Sequence, residues 1–483
     1  MGSIIRWLLV IVAVVAAIYL IARFTSDSTP AYADNVEHFK YGSTGGERLT
    51  GIPYSVWMAL PGLFPEYLPG GYASLGFIYE KGKDLPIGVS KRRYQGIERV
   101  FFNCAICHAG SVRDAADAAP KYYVGMPSNT VDLRGYYEFM FNVVSDQKFT
   151  PQLILARIKN MQIKEDLINR LILRFYAIYK MRESLLTEKQ KLWFIMQEPE
   201  FGPGRIDTFD PAKALLGFRM DLAPAAEKLG TTDFPSIWNQ RKRIGMNLHW
   251  DGNNTDVDER NRSAAFGTGA YPVSLDRPSL KQTADWLLDA APPAWPYEVN
   301  ESKAARGAQV YAQWCAGCHG KDGKDFAPGQ GRLGTVIPIA EIGTDRWRLD
   351  SYTADLAASQ NVLYAGYEGE RFSHFKKTYG YAAMPLDGVW LRAPYLHNGS
   401  VPTLRDLLDD SDTRPAQFYR GDDLYDRDKV GFVGTVPERN GRKFFNYQTN
   451  VQGNSNKGHE GPAYGTTLPP VDKDALVEYM KRF

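Results

Sequence analysis

All four cysteines of this 483-residue chain fall in two copies of one pattern. The first reads Cys104-Ala105-Ile106-Cys107-His108, the second Cys315-Ala316-Gly317-Cys318-His319. Two thiols separated by two residues can bond to the two vinyl positions of one haem. The histidine that follows then presents its imidazole to the iron, which is the c-type attachment pattern. A Cys-x-x-Cys pair also serves as a thiol redox site or as half of a zinc site. The adjacent histidine is superfluous to a dithiol, and a four-cysteine zinc site leaves both histidines unexplained. Two covalently bound haem c groups are therefore expected, with His108 and His319 as metal ligands.

The elements that present these motifs are legible to different degrees. Glu301 to Trp314, with Ala305, Ala308, Val310 and Tyr311 as its apolar side, predicts a helix delivering the second motif. This is how a small cytochrome c domain opens. In such domains the sixth iron ligand is often a methionine well downstream, and Met384 suits that place. Before the first motif, Ile97, Phe101 and Ala105 recur at fourfold spacing beside Val100, which predicts a helix from Lys91 into Cys104. Residues 152–198 are the longest helical region, with Leu153, Ile154, Ile158, Leu167 and Leu171 among its apolar positions. Its dense Lys and Arg make a solvated face or a contact with anionic lipid. Residues 472–482 read as a terminal helix.

Several loops carry further candidates. Met126, in the turn Gly125–Thr130, is either a packing residue near the first pocket or an iron ligand. Arg205, in Phe201–Asp207, could bind a haem propionate or form a plain ion pair. Gly245–Asn254 sets His249 and Trp250 beside polar turn residues. His249 could ligate iron, donate a hydrogen bond or hold the loop. Trp250 could carry electrons or simply pack on a porphyrin edge. Glu259, Arg260 and Asn261 follow as a polar network. His459, after the polar run Asn454–Gly458, could fold back onto the second iron and competes there with Met384.

A net charge of +2 gives no reason to expect a nucleic-acid partner. With 44 glycines, 29 prolines and 13% aromatic residues, the composition favours helices and aromatics wrapping cofactors, with limited sheet. The expected fold is mainly α, with two cytochrome c-like haem domains and extensive irregular loops, preceded by an N-terminal transmembrane helix. The expected boundaries are a membrane anchor or signal segment over 1–24, a stalk over 25–45, an N-terminal haem domain over 46–295 and a C-terminal one over 296–483. Ser3 to Phe24 is about one bilayer of apolar helix, roughly 20 residues. Arg6 on its cytoplasmic side places the remainder on the periplasmic side of the bacterial inner membrane. The competing outcome is cleavage after Ala31-Tyr32-Ala33, which gives a soluble periplasmic form beginning at Asp34. No repeat is visible beyond the paired attachment motifs.

Leu391-Arg392-Ala393-Pro394-Tyr395-Leu396-His397-Asn398-Gly399-Ser400, followed by Val401-Pro402-Thr403-Leu404, resembles the bacterial dihaem cytochrome c peroxidase and MauG superfamily. Within it, the segments Gly245–Asn254 and Asn454–His459 are most similar to the RoxA/RoxB-type rubber oxygenases and related dihaem fatty-acid dioxygenases. The resemblance implies that the first haem is open to dioxygen, with Trp250 near its pocket. It implies that the second is six-coordinate, with His459 as distal ligand, and transfers electrons. It also allows calcium between the haems, without naming its ligands. The expected function is a haem-dependent oxygenase acting on a hydrophobic unsaturated small molecule. Its alternatives are a peroxidase reducing hydrogen peroxide and a membrane-anchored electron-transfer cytochrome. A small redox protein or a respiratory donor or acceptor is the expected partner. The chain is shorter than the usual rubber oxygenase, and an anchor suits a lipid-derived substrate better than an external polymer.

Overall fold

The computed structural model describes residues 2–327, 329 and 331–483; Met1, the first residue of the expected anchor, lies outside them. Helix α1 (Gly2–Phe24) is apolar on every side and long enough to cross a membrane, and its flanks touch nothing else in the protein. A helix apolar all round belongs in lipid or in a large core. Its last turn is tied down. Arg23 donates to Tyr19 (2.9 Å), to Asn169 (2.5 Å) and to Asp166, with which it forms an ion pair at 2.9 Å.

Residues 25–45, expected as a stalk, carry a short strand and a helix. Strand β1 (Asp27–Ser28) joins a four-stranded sheet, and helix α2 (Asn35–Tyr41) buries His38, Phe39 and Tyr41. Asp34 starts α2 by accepting the amide of Glu37 at 2.8 Å. The apolar pair Phe39 and Tyr41 outweighs the polar neighbours that made the segment look solvated.

The approach to the first motif is a β-hairpin, not a helix. Strand β2 (Ile52–Pro53) edges the sheet, and β3 (Val89–Tyr94) pairs antiparallel with β4 (Ile97–Phe102), Val89 facing Phe102. Gln95 and Gly96 both take positive φ, 51° and 80°. A two-residue left-handed turn matches the twist of paired strands and commits the chain to a hairpin. Val, Ile, Tyr and Phe on either side suit strands, so the fourfold spacing of Ile97 and Phe101 misled.

The helical region expected over 152–198 forms in pieces. They are Pro151–Asn160, Leu167–Ile172, a π-helical turn Leu173–Ala177, Ile178–Lys191 and a short 3-10 turn Trp193–Gln197. With Tyr54–Leu63 and Leu133–Ser145 they enclose one core, in which Trp57 stacks on Tyr72 at 3.9 Å. At the other end of the chain, helix Glu301–Trp314 crosses the terminal helix Pro470–Met480. Gly307 makes that crossing possible, because a Cβ there would overlap the Ala475 carbonyl oxygen. The remaining strands are short pairs on irregular loops. The fold is mainly α-helical, loop-rich, with one apolar N-terminal helix of membrane-spanning length.

Candidate functional site

Cys104, Cys107 and His108 sit on a single helical turn directly after β4. Asn103 accepts the Ala105 amide at 2.9 Å and caps that turn. The backbone around it is pinned, with Gly125 donating to the His108 carbonyl (2.7 Å) and Ser128 to the Cys107 carbonyl (2.9 Å). His108 Nδ1 lies 2.9 Å from the Pro235 carbonyl oxygen. A proton held at Nδ1 by that carbonyl leaves the Nε2 lone pair free for a metal. Burial, then the nearby Arg260, pushes the His108 imidazolium pKa down to about 3, so the ring is neutral.

These three residues line a cavity of about 710 Å³, predominantly apolar, whose walls include Tyr136, Phe234, His249 and Trp250. That volume suits a cofactor together with a small ligand. Burial pushes the Cys104 thiol up to about 11 and the Cys315 thiol up to about 12, and raises Cys107 and Cys318 as well. Active dithiol sites need lowered thiol pKa values. The environment therefore opposes the dithiol reading.

His249 and Trp250 both reach this cavity. The loop is closed by a bridge between Leu248 and Asn254, and its turn places His249 at φ 65° and Gly252 at φ 67°. Asn253 Oδ1 holds His249 Nδ1 at 2.5 Å, and burial, then Arg260, pushes the His249 pKa down to about 3. Trp250 donates its indole N–H to the Asp233 carbonyl at 2.8 Å, two residues from the Pro235 that orients His108. Its own carbonyl accepts from Ala382 at 2.8 Å, two residues from Met384.

This loop has a counterpart that the sequence did not reveal. Tyr395 bridges Val401 as Leu248 bridges Asn254, Leu396 takes φ 65° as His249 does, and Gly399 takes φ 63° as Gly252 does. Trp250 and His397 thus hold equivalent places. The two loops meet across one strand residue, since Asp233 donates its amide to the His397 carbonyl at 2.9 Å while its carbonyl receives Trp250. The only legible signal was a leucine or tyrosine followed four residues later by glycine, which is too weak to find a repeat.

The second motif begins at the end of the Glu301–Trp314 helix. His319 Nδ1 lies 2.7 Å from the Met384 carbonyl oxygen, the same arrangement as His108 with Pro235. Met384 therefore orients His319 through its backbone, and its sulfur lies 4.0 Å from Arg243. Facing His319 is His459, with ring centroids 6.2 Å apart. Two imidazoles on opposite sides of one metal, each at a bond length of about 2 Å, have centroids roughly 6 Å apart. His459 is half-buried, its pKa is pushed down to about 3 by burial and then by His319, and its buried Nδ1 has no partner among the described residues. The pair could hold one iron between them.

Arg205 is buried and donates to the Phe201 carbonyl at 3.0 Å, with its guanidinium over Tyr447 at 5.0 Å and Asp233 at 4.0 Å. It is not on the cavity wall. Arg260 is, and among the described residues it has no ion pair and no side-chain hydrogen bond. Its neighbours Glu259 and Asn261 are engaged elsewhere, Glu259 with Ser373 and His374, Asn261 with Gln240. Burial, then Arg243, lowers the Arg260 pKa to about 10. A cation buried without a partner is costly, and a carboxylate in the cavity would relieve that cost. Met126 is fully buried against Gly110 and Trp238.

Among the described residues one carboxylate set, Glu198, Asp207 and Asp210, brings its oxygens within 4.8 Å of one another and could hold a cation. Lys213 already pairs with Asp210 at 2.8 Å. Burial, then Asp207 and Asp210, pushes the Glu198 carboxyl up to about 11 from an ordinary 4.5. A carboxyl shifted in that direction, with no metal ion beside it, keeps a proton in the fold that the unfolded chain gives up, so stability of the ion-free protein is expected to fall as pH rises between those values. The expected slope from this one group is at most about 1.4 kcal/mol per pH unit. Glu198→Gln should remove it, which denaturant unfolding at pH 5 and pH 8 checks. An unchanged pH dependence in the variant would show Glu198 ionised in the fold.

Two family models match parts of this architecture. One, described as RoxA-like, cytochrome c-like, covers residues 380–420, and the other, cytochrome C oxidase, cbb3-type, subunit III, covers residues 302–385. The latter includes the second attachment motif and Met384. Two proteins of Sinorhizobium fredii (strain NBRC 101917 / NGR234) are also similar. The uncharacterized protein y4iM is 32% identical over 295 residues, 52% of this chain and 64% of the relative. The uncharacterized protein y4iJ is 32% identical over 251 residues, 39% of this chain and 41% of the relative. The chain spans less than two thirds of either relative. Together the matches show a distant, partial relationship to cytochrome c-like families of the RoxA-like and cbb3 oxidase kinds. The chain has a cytochrome-like oxidoreductase character.

Proposed function

We propose that the chain is a dihaem c-type oxidoreductase in which the two motifs have unequal tasks. The first site binds a hydrophobic unsaturated molecule and dioxygen; the second exchanges electrons with a redox partner. The observation that carries this reading is the contrast between the two histidines. His108 opens onto a large apolar cavity, whereas His319 is faced by His459. An open position favours ligand chemistry and a filled one favours electron exchange.

The residues present fit covalent haem at both motifs, since each has two thiols, a neutral histidine and a carbonyl on its Nδ1. Haem, when bound, supplies iron-centred redox chemistry. The chain's own residues do the rest. Pro235 orients His108, Arg260 offers its charge to a haem propionate, and the apolar walls exclude water from an alkene. His249, held through Nδ1 by Asn253, presents Nε2 to the cavity as a hydrogen-bonding group. Trp250 ties the backbone that orients His108 to the backbone that orients His319, and relays electrons between the sites.

Oxygen uptake coupled to an oxygenated product, across a panel of unsaturated fatty acids and isoprenoids, tests this function. Absence of uptake over the whole panel sinks it; rapid reaction with hydrogen peroxide followed by turnover with a reduced cytochrome would install the peroxidase reading. Trp250→Phe keeps an aromatic ring but loses the indole N–H. It should slow electron exchange between the sites by about tenfold, or ~1.4 kcal/mol on the barrier, with haem content unchanged. Flash photolysis of the half-reduced protein measures that rate, and an unaltered rate removes Trp250 from the path.

A second reading is favoured by the cbb3-type match and by α1. In it the protein is a cytochrome delivering electrons to a membrane-linked redox complex, held by α1 on the periplasmic side of the inner membrane. Electron paramagnetic resonance separates the two: this reading requires two low-spin haems that refuse added ligands in both redox states.

A further inference from the structure

We infer that the outer face of helices Leu167–Ile172 and Ile178–Lys191 lies on the lipid surface, so that a hydrophobic ligand enters the first cavity directly from the bilayer. The inference rests on the readings that α1 spans a membrane and that the cavity takes an apolar ligand.

The first observation is an apolar stripe at helical spacing that none of the described residues covers. Leu167, Leu171, Phe175 and Tyr179 are 64%, 46%, 68% and 55% exposed, and Tyr176 beside them is equally bare. Core-facing helices bury such positions, whereas membrane-surface helices present them. The π-helical turn Leu173–Ala177 adds a residue to the turn and keeps Phe175 and Tyr176 both outward. Exposed Lys164, Arg170, Arg174 and Lys180 flank the stripe. Basic residues around an apolar face suit anionic headgroups.

The second observation says what covers this face. The C-terminal end of α1 is fastened to the start of the same helical segment, through Arg23 to Asp166 and Asn169. Where α1 leaves the bilayer, the stripe begins. The third observation concerns the cavity. Its rim includes Leu49, Gln95, Tyr176 and Lys180. Gln95 donates its amide to the Ser26 carbonyl at 2.9 Å, and Gly96 lies against the Arg23 side chain. The cavity lining thus includes a residue, Gln95, bonded to the chain that follows the anchor, and one, Tyr176, that stands beside the stripe. Leu49, also exposed, adds an apolar side chain to that lining. An apolar molecule dissolved in the outer leaflet meets this opening without crossing water.

The test uses the full chain reconstituted in vesicles of phosphatidylcholine and phosphatidylglycerol. Single cysteines are introduced by Phe175→Cys, Tyr179→Cys, Val12→Cys and Val471→Cys and labelled with a fluorophore, with the parent chain treated alike as background. Labels at 175 and 179 should be quenched by nitroxide lipids and shielded from aqueous iodide, as at 12, while the label at 471 behaves oppositely. If 175 and 179 behave like 471 while 12 is in lipid, this inference fails and the anchor stands. If 12 is also aqueous, both fall. The ligand arm uses the double variant Phe175→Asp, Tyr179→Asp. Binding of an unsaturated fatty acid presented in vesicles should weaken by about tenfold or more, the scale of one lost apolar side-chain burial. The same acid presented in detergent should bind the variant and the parent alike. Equal weakening in detergent would place the effect in the cavity and not at the membrane, and no binding to the parent in either medium would overturn the apolar-ligand reading.

Discussion

On the proposed dihaem reading, replacing His459 by alanine is expected to convert the second haem from almost wholly low-spin to almost wholly open. The side chain stands opposite His319, at 6.2 Å between ring centroids. Its position is set by backbone. His459 takes φ 50°, its amide donates to the Ile342 carbonyl at 2.8 Å, and Arg414 grips the Gly458 carbonyl at 2.9 Å and the His459 carbonyl at 3.2 Å. Removing the imidazole leaves that frame in place, so the variant should fold and carry haem. Added imidazole should then restore the low-spin spectrum. Met384→Ala is the matched comparison and should leave the spin state intact, because Met384 acts through its carbonyl. Electron paramagnetic resonance of both variants decides the matter; an open second haem in Met384→Ala and a closed one in His459→Ala would reverse the ligand assignment.

The largest effect on stability is expected from Gly307→Leu. Helices Glu301–Trp314 and Pro470–Met480 approach so closely at Gly307 that a side-chain carbon would meet the Ala475 carbonyl oxygen and then Tyr479. A backbone atom cannot step aside as a flexible side chain can, so the helices must separate. Separation uncovers Tyr311, fully buried between Tyr479 and Phe483 with ring centroids 5.5 and 5.0 Å away. Overpacking and lost burial together should cost about 3 kcal/mol or more. Because the same helix carries Cys315, haem incorporation at the second motif should fall too. Gly366→Ala, where a Cβ meets open space, should stay within about 0.5 kcal/mol of the parent. Urea unfolding followed by haem absorbance and by far-ultraviolet circular dichroism checks both variants, and equal midpoints would show that the crossing is not tight.

The sequence by itself determined the two attachment motifs, the apolar helix α1 and the helix that delivers Cys315. Each is a local property. Two thiols and a histidine share one turn, an unbroken apolar run needs no partner to declare itself, and the 301–314 helix has apolar residues at helical spacing. The face that helix buries is nonetheless Ala304, Gly307 and Tyr311, with the expected Ala305 exposed. The hairpin before Cys104 was misread because Ile97 and Phe101 satisfy a helical period as well as a strand face. The left-handed pair Gln95-Gly96 breaks the tie in three dimensions. The choice between His459 and Met384 could not be made from spacing, since both lie far along the chain from His319. Only the folded tail shows one ring facing His319 and the other residue's carbonyl on its Nδ1. In the sequence Arg205 is the candidate cation for a propionate, and Arg260 reads only as part of a polar network with Glu259 and Asn261. The tertiary structure engages Arg205 with Phe201, Tyr447 and Asp233 and leaves Arg260 on the cavity wall with no ion pair among the described residues. The Cys-x-x-Cys-His pattern is written in neighbours along the chain, whereas the pairing of His319 with His459 and the cavity are made by segments that meet only when the chain folds back on itself.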